Sequence, residues 1–151
     1  MNKIKSFQVD HDKLEKGLYI SSVDGDIITY DLRFKKPNQG DYLDDAAMHS
    51  IEHSLATILR NSSRGEDIIY FGPMGCRTGF YLLTKSSLSK EDTIKLLQNA
   101  LKELIYKVKI VPGSKQKECG NYLNHDLKAA KKEAKAYLEV IKDYQPEDLM
   151  Y

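Results

Sequence analysis

The segment GLYISSVDGDIITYDLRF, residues 17–34, limits the possible folds more than any other stretch. Apolar and polar positions alternate on both sides of Asp24-Gly25, and a period of two sends alternate side chains to opposite faces of an extended strand. Asp-Gly accepts the positive φ of a tight connection, so the two runs read as an antiparallel hairpin. After the Pro/Asn/Gly loop KKPNQGDY, Ala47, Ile51, Leu55 and Ile58 recur every three or four residues. That spacing predicts a helix from about Asp44 to Asn61, with Asp44 or Asp45 as N-cap. DIIYFGPMG and GFYLLT read as two further strands joined by a Gly/Pro turn. Ser89 followed by Asp92 predicts a capping box, opening a helix through Ile94, Leu97, Leu101 and Leu104 to about Tyr106. KVKIV predicts a short strand stopped at Pro112-Gly113. A last helix from about Asp126 to Asp143 carries Leu127, Ala130, Ala134, Tyr137, Leu138 and Ile141 on one face. Strands and helices segregate without strict β-α alternation, which predicts an α+β fold in two layers, a mainly antiparallel sheet packed against helices.

A length of 151 residues with no repeat, linker or low-complexity tract predicts one domain over residues 1–151. Lys and Arg number 23 against 22 Asp and Glu, so no strong field selects nucleic acid or an anionic membrane. The opening MNKIKSFQVDHDK lacks the apolar run of a signal peptide or anchor, and a cytoplasmic protein is expected. Two cysteines, Cys76 and Cys119, are too few for a secreted disulfide framework and are read as thiols.

Two of the four histidines fall within HSIEH, residues 49–53, inside the first long helix. Positions i, i+3 and i+4 share a helix face, so His49, Glu52 and His53 project together. Two neutral imidazoles bind a borderline divalent ion such as Zn²⁺ or Fe²⁺, and the glutamate stands beside a bound water or substrate oxygen as a proton carrier. H-x-x-E-H is the inverted form of the zinc-peptidase motif. A third protein ligand comes from Glu118 or Cys119 in KECGNY. Glutamate matches inverted-motif peptidases, whereas a thiolate gives a less Lewis-acidic metal suited to polarising a sugar carbonyl. Cys119 precedes Gly120-Asn121, a turn that permits close approach to an ion, and is the preferred candidate.

The second thiol lies in PMGCRTGFY, between Gly75 and Gly79 and beside Arg77, a cation that favours the reactive thiolate. If Cys76 is a proton carrier, it pairs with Glu52 across a metal-bound substrate, an arrangement that fits enolisation better than hydrolysis.

SFQVDH, YDLRFKKPN, HSIEH, PMGCRTGFY and ECGNYLNHDL occur together and in order, and from Ser6 to the last helix the chain resembles the LuxS family of S-ribosylhomocysteine lyases. The resemblance implies a LuxS-type, metallohydrolase-like fold. It implies one divalent metal per subunit on His49, His53 and Cys119, natively Fe²⁺ and commonly replaced by Zn²⁺ or Co²⁺, with no organic cofactor. Glu52 and Cys76 become the general acid and base. The implied reaction moves the carbonyl of S-ribosylhomocysteine from C1 to C2 and then C3 through enediolates, and β-elimination at C5 releases homocysteine. The other product, 4,5-dihydroxy-2,3-pentanedione, is the precursor of autoinducer-2 quorum-sensing signals. Ser6, His11 and Arg33 match positions that line the substrate site, Arg33 as a fork for a carboxylate or sugar oxygens. The family's homodimer places active sites at the interface, so Ser6 and His11 are expected to reach the neighbour's metal. His125 lies close along the chain to Cys119 and is read as a residue supporting the ligands or capping the last helix. DKLEKGLYISSVDGDIITYD is shorter than in many family members, which concerns the N-terminal rim and not the ligands.

Two rivals remain. One is an inverted-motif zinc hydrolase acting on a peptide or amide, with Glu52 activating water and Cys76 incidental. The other is a metal-dependent interaction or storage module, which would require a fourth protein ligand closing the site.

Overall fold

The computed structural model describes residues 1–151. A short helix, α1 (Lys5–Gln8), precedes the hairpin β1 (Gly17–Asp24) and β2 (Ile27–Arg33). Then follow α2 (Asp45–Arg60), β3 (Ile68–Pro73), β4 (Gly79–Lys85), α3 (Lys90–Lys107) and α4 (Leu127–Ile141). The four strands form one antiparallel sheet in the order β1-β2-β4-β3, so the α+β expectation holds.

Register explains why the sheet has a helix-covered face. Ile20, Tyr30, Leu82 and Phe71 pair in one row across all four strands, and Leu18, Leu32 and Phe80 pair in the next. Ile20 packs half-buried at the margin, and the others join Leu55 and Leu59 of α2, Leu97, Leu101 and Leu104 of α3, and Tyr137 and Ile141 of α4 in one buried cluster. Burying a side chain of this size contributes about 1.5–3 kcal/mol, and the cluster fixes α2 against β3, α3 and α4. The polar end of Tyr137 is satisfied at 2.9 Å by the Gly17 carbonyl, while its ring stacks on Phe34 at 4.0 Å. Lys35 ties the β2–α2 loop to α4 through Glu133 at 3.0 Å.

The hairpin turn has Gly25 at φ 61°, as Asp-Gly predicts. Ser89 Oγ accepts from the Asp92 amide at 3.1 Å, although the Asp92 carboxylate lies 3.5 Å from Arg64. Asp44 takes the N-cap position of α2 without a side-chain bond to the helix. The strand expected at KVKIV is not formed. The α3 helix runs on through Lys107, and the Val108 amide closes it on the Glu103 carbonyl at 3.3 Å. Ile110 is left exposed, and Val111 turns inward to start the long irregular connection to α4. The helix α1 carries no apolar periodicity of its own and was not expected. No helix is long and apolar enough to cross a membrane.

Candidate metal centre

Helical spacing sets the first half of the centre. His49 and His53 stand one turn apart on α2 with ring centroids 4.6 Å apart. The α3–α4 connection supplies what orients them: the Asn124 carbonyl lies 2.8 Å from His49 Nδ1, and the Pro112 carbonyl 3.0 Å from His53 Nδ1. A carbonyl oxygen only accepts, so both Nδ1 atoms carry hydrogen, and in the neutral ring the lone pair is left on Nε2. Gly113, at φ 68°, makes this approach feasible, since a Cβ there would sit 3.3 Å from His53 Nδ1.

The same connection delivers the thiol. The Cys119 amide turns back onto the Lys115 carbonyl at 3.1 Å, and Cys119 Sγ lies 3.5 Å from His49 Nε2. The Asn121 amide donates to that sulfur at 3.4 Å. Glu118, the other candidate, is not in the cluster. His125 is: the ligand atoms of His49, His53, Cys119 and His125 all lie within 4.8 Å of one another. Bonds of 2.0–2.3 Å to a tetrahedral ion would space ligand atoms by about 3.3–3.7 Å, so a small contraction accommodates one. Thiolate and neutral imidazole are the donors that zinc, iron and cobalt share. The residues fit a divalent metal.

Of the two roles expected for His125, supporting the ligands and capping the last helix, the second is absent. His125 does not cap α4, whose first turn is held by Asp126 accepting from Ala129 at 3.0 Å. Its ring stacks on His49 with centroids 4.0 Å apart, and Nε2 comes 3.8 Å from Cys119 Sγ. Burial first, then repulsion from His49 and His53 whenever those rings are protonated, pushes its pKa below the ordinary histidine value.

A cleft of about 440 Å³ opens beside the cluster, lined by Met48, His49, Glu52, Pro73, Asn121 and Asn124. Glu52 Oε1 is 4.0 Å from His53 Nε2, so its carboxylate stands between the ligand face and the cleft. Cys76 is not among the lining residues. It sits exposed at the tip of the β3–β4 turn, whose Pro73 forms one wall. Arg77, expected to charge this thiol, points elsewhere: it lies 3.9 Å from Asp45, 3.4 Å from the Leu43 carbonyl, and over the Tyr42 ring. The cation on the Cys76 side is Arg33. Its Nη1 donates to Thr78 Oγ1 at 2.8 Å, and Thr78 Oγ1 lies 3.0 Å from Cys76 Sγ. Because Thr78 accepts from arginine, its own hydrogen is free for the sulfur.

Arg33 is therefore not the open fork expected from the sequence. It is 3 % exposed, and Nε and Nη2 are held by Asp31 at 3.1 and 2.6 Å. Burial opposes its charge, but the bonds and charge of Asp31, with the charge of Cys76, outweigh it and raise the pKa. Tyr151 completes the group by donating to Asp31 at 2.7 Å. Three of the five guanidinium hydrogens are thereby engaged, by Asp31 and Thr78. Ser6, on α1, lines a different groove of about 520 Å³ on the face of the sheet opposite α2, α3 and α4, with Thr29, Tyr70, Tyr81 and Leu83. The half-buried His11 has Nδ1 bonded to the Val9 carbonyl at 2.8 Å and is not part of the metal cluster. Neither reaches this chain's own centre.

The family profile described as S-Ribosylhomocysteinase (LuxS) matches residues 4–148. The chain belongs to the LuxS family. Curated relatives agree over full length: the S-ribosylhomocysteine lyase of Borreliella afzelii (strain PKo) is 44% identical, over 100% of this chain and 99% of its own. That of Desulfotalea psychrophila (strain LSv54 / DSM 12343) is 44% identical over 100% and 99%. That of Phocaeicola vulgatus (strain ATCC 8482) is 43% identical over 100% and 97%. Sequence reasoning missed several residues that contact His49, His53 and Cys76 in this LuxS-family chain. Pro112 and Asn124 act through carbonyls, which leave no side-chain signal, whereas Thr78 lay in view in PMGCRTGFY.

Proposed function

We propose that this chain, acting as one unit over residues 1–151, is an S-ribosylhomocysteine lyase. The observation that carries the reading is the convergence of His49, His53 and Cys119 beside Glu52 at a cleft, in a chain whose LuxS match runs from residue 4 to residue 148. His49, His53 and Cys119 would hold the metal, Fe²⁺ in the cell with Zn²⁺ or Co²⁺ as replacements. Bound there, it supplies Lewis acidity that stabilises negative charge on a substrate oxygen.

The chain's own residues move protons. Glu52 takes and returns them between a carbon and its neighbour's oxygen as the carbonyl passes from C1 to C2 and C3, each transfer going through an enediolate. Once the carbonyl is at C3, loss of the C4 proton breaks the C5–S bond and homocysteine leaves as its thiolate. Cys76, backed by Thr78 and Arg33, is the second carrier, and Arg33's remaining donors orient a sugar oxygen. Carbon oxidation states shift within the sugar, so no organic cofactor is required. Released 4,5-dihydroxy-2,3-pentanedione supplies the autoinducer-2 precursor of quorum sensing, and the enzyme works in the cytoplasm.

A homodimer completes the site. The sheet face opposite α2, α3 and α4, with Tyr70, Tyr81 and Leu83, would pack on a second copy, carrying Ser6 and His11 to the partner's cleft. Amide hydrolysis is the weaker reading, because Glu118 does not join the cluster as the carboxylate ligand it would use. The test is anaerobic turnover of S-ribosylhomocysteine by Fe²⁺-loaded protein, reading free homocysteine with a thiol reagent after removing the enzyme. Release by the native chain and none by Glu52→Gln is the expected result. No release from fully loaded dimer would overturn the lyase reading.

A further inference from the structure

Four ligand-type atoms converge at the centre, yet a catalytic metal needs a coordination position left open for substrate. Hydrogen bonding separates the four. In the neutral ring, His49 and His53 keep their lone pairs on Nε2 because their Nδ1 hydrogens are taken by carbonyls. The partner of His125 Nδ1 is different in kind: Ser50 Oγ, fully buried on α2, at 3.1 Å. That hydroxyl already accepts from the Asp126 amide at 2.9 Å. Its own hydrogen has no acceptor other than His125 Nδ1, and the opposite arrangement would leave a buried O–H without a partner. Nδ1 is thus the accepting nitrogen, and the ring hydrogen lies on Nε2, 3.8 Å from Cys119 Sγ.

We propose that His125 is not a metal ligand but a positioning residue, held by Ser50 in the Nε2–H tautomer so that it donates to the Cys119 sulfur. The inference rests on the metal-centre reading above. The donated hydrogen withdraws charge from the metal-bound sulfur, which makes the ion a stronger Lewis acid. It also keeps a third imidazole from closing the position that substrate oxygens occupy. Asn121 donates to the same sulfur from its backbone, so the thiolate sits between two donors.

Long-range ¹H–¹⁵N correlation of the histidine rings in the Zn²⁺-loaded chain reads the tautomers directly. The expected pattern is hydrogen on Nδ1 of His49 and His53 with Nε2 on zinc, but hydrogen on Nε2 of His125 with a pyridine-type Nδ1. A zinc-bound Nε2 at His125 would overturn the proposal while leaving the metal site standing, and uptake of much less than one zinc per chain would overturn both. Cobalt-loaded His125→Leu gives a second reading. It should keep one cobalt per chain, with the thiolate charge-transfer band moved to lower energy, and His125→Gln, which retains an N–H donor, should move it back. An unmoved band in His125→Leu, or loss of stoichiometric cobalt, counts against the donor role.

Discussion

The two thiols of this chain differ in what surrounds them, and that difference predicts separate losses. Cys119 lies with the imidazoles of α2, whereas Cys76 sits on a turn where Thr78 and the Arg33–Asp31 pair back its sulfur. Cys119→Ala should bind much less than one metal per chain, measured by atomic absorption after dialysis. Cys76→Ala should keep the metal and lose homocysteine release, and equal metal loss in both would break this division. Thr78→Val removes only the hydroxyl between Arg33 and the sulfur. One hydrogen bond worth about 1–1.5 kcal/mol corresponds to roughly tenfold slower alkylation of Cys76 by iodoacetamide at neutral pH. An unchanged rate would mean that the hydroxyl does not assist the thiolate. The sequence showed both cysteines and the HSIEH face because i, i+4 geometry is local. It misassigned the cation near Cys76 because chain adjacency stood in for sheet register: Arg33 pairs with Gly79 across β2 and β4, which brings it to Thr78. His125 was harder, since its role depends on a serine 75 positions away.

At the scale of elements, the four strands and α2, α3 and α4 followed from periodicity while α1 did not, and the segment that failed to form a strand is instructive. KVKIV has β-favouring residues, but β1 and β3 already edge a sheet that this segment does not reach. It leads instead to Pro112 and Gly113, whose backbone orients His53. A connection without regular structure therefore carries half of the centre, and no periodic signal marks such a segment. Gly113→Ala tests this. The left-handed φ of 68° strains any side chain, and its Cβ meets His53 Nδ1 at 3.3 Å, so the Pro112 carbonyl must shift. Weakening a bond that orients a ligand typically lowers metal affinity by 10–100-fold, which competition with a zinc chelator would measure. Circular dichroism should show α2, α3 and α4 intact. Unaltered affinity would mean that His53 is held by α2 alone.

Over the whole molecule, the fold places the metal cluster on the N-terminal half of α2 and Ser6 on the opposite face of the sheet, so one chain does not bring the expected site residues together. Tyr70, 49 % exposed, stands on that face, and large aromatic and aliphatic groups there favour a second copy as the covering layer. The alternation of the strands marked the face as distinct from the core, but alternation does not say what covers it. A mixture of two inactive variants distinguishes a shared site from a self-contained one. One variant carries Ser6→Ala with His11→Ala, and the other carries Cys76→Ala. If Ser6 and His11 serve the partner's centre, each mixed dimer holds one site with all its residues and one that lacks both sets. Equal amounts allowed to exchange subunits form mixed dimers half of the time, so about a quarter of all sites, and about a quarter of native homocysteine release, should return. If those residues serve their own chain, every site lacks something, and the mixture stays as inactive as its parts. Activity regained on mixing but abolished by Leu83→Asp in both variants would tie the shared site to the sheet face itself.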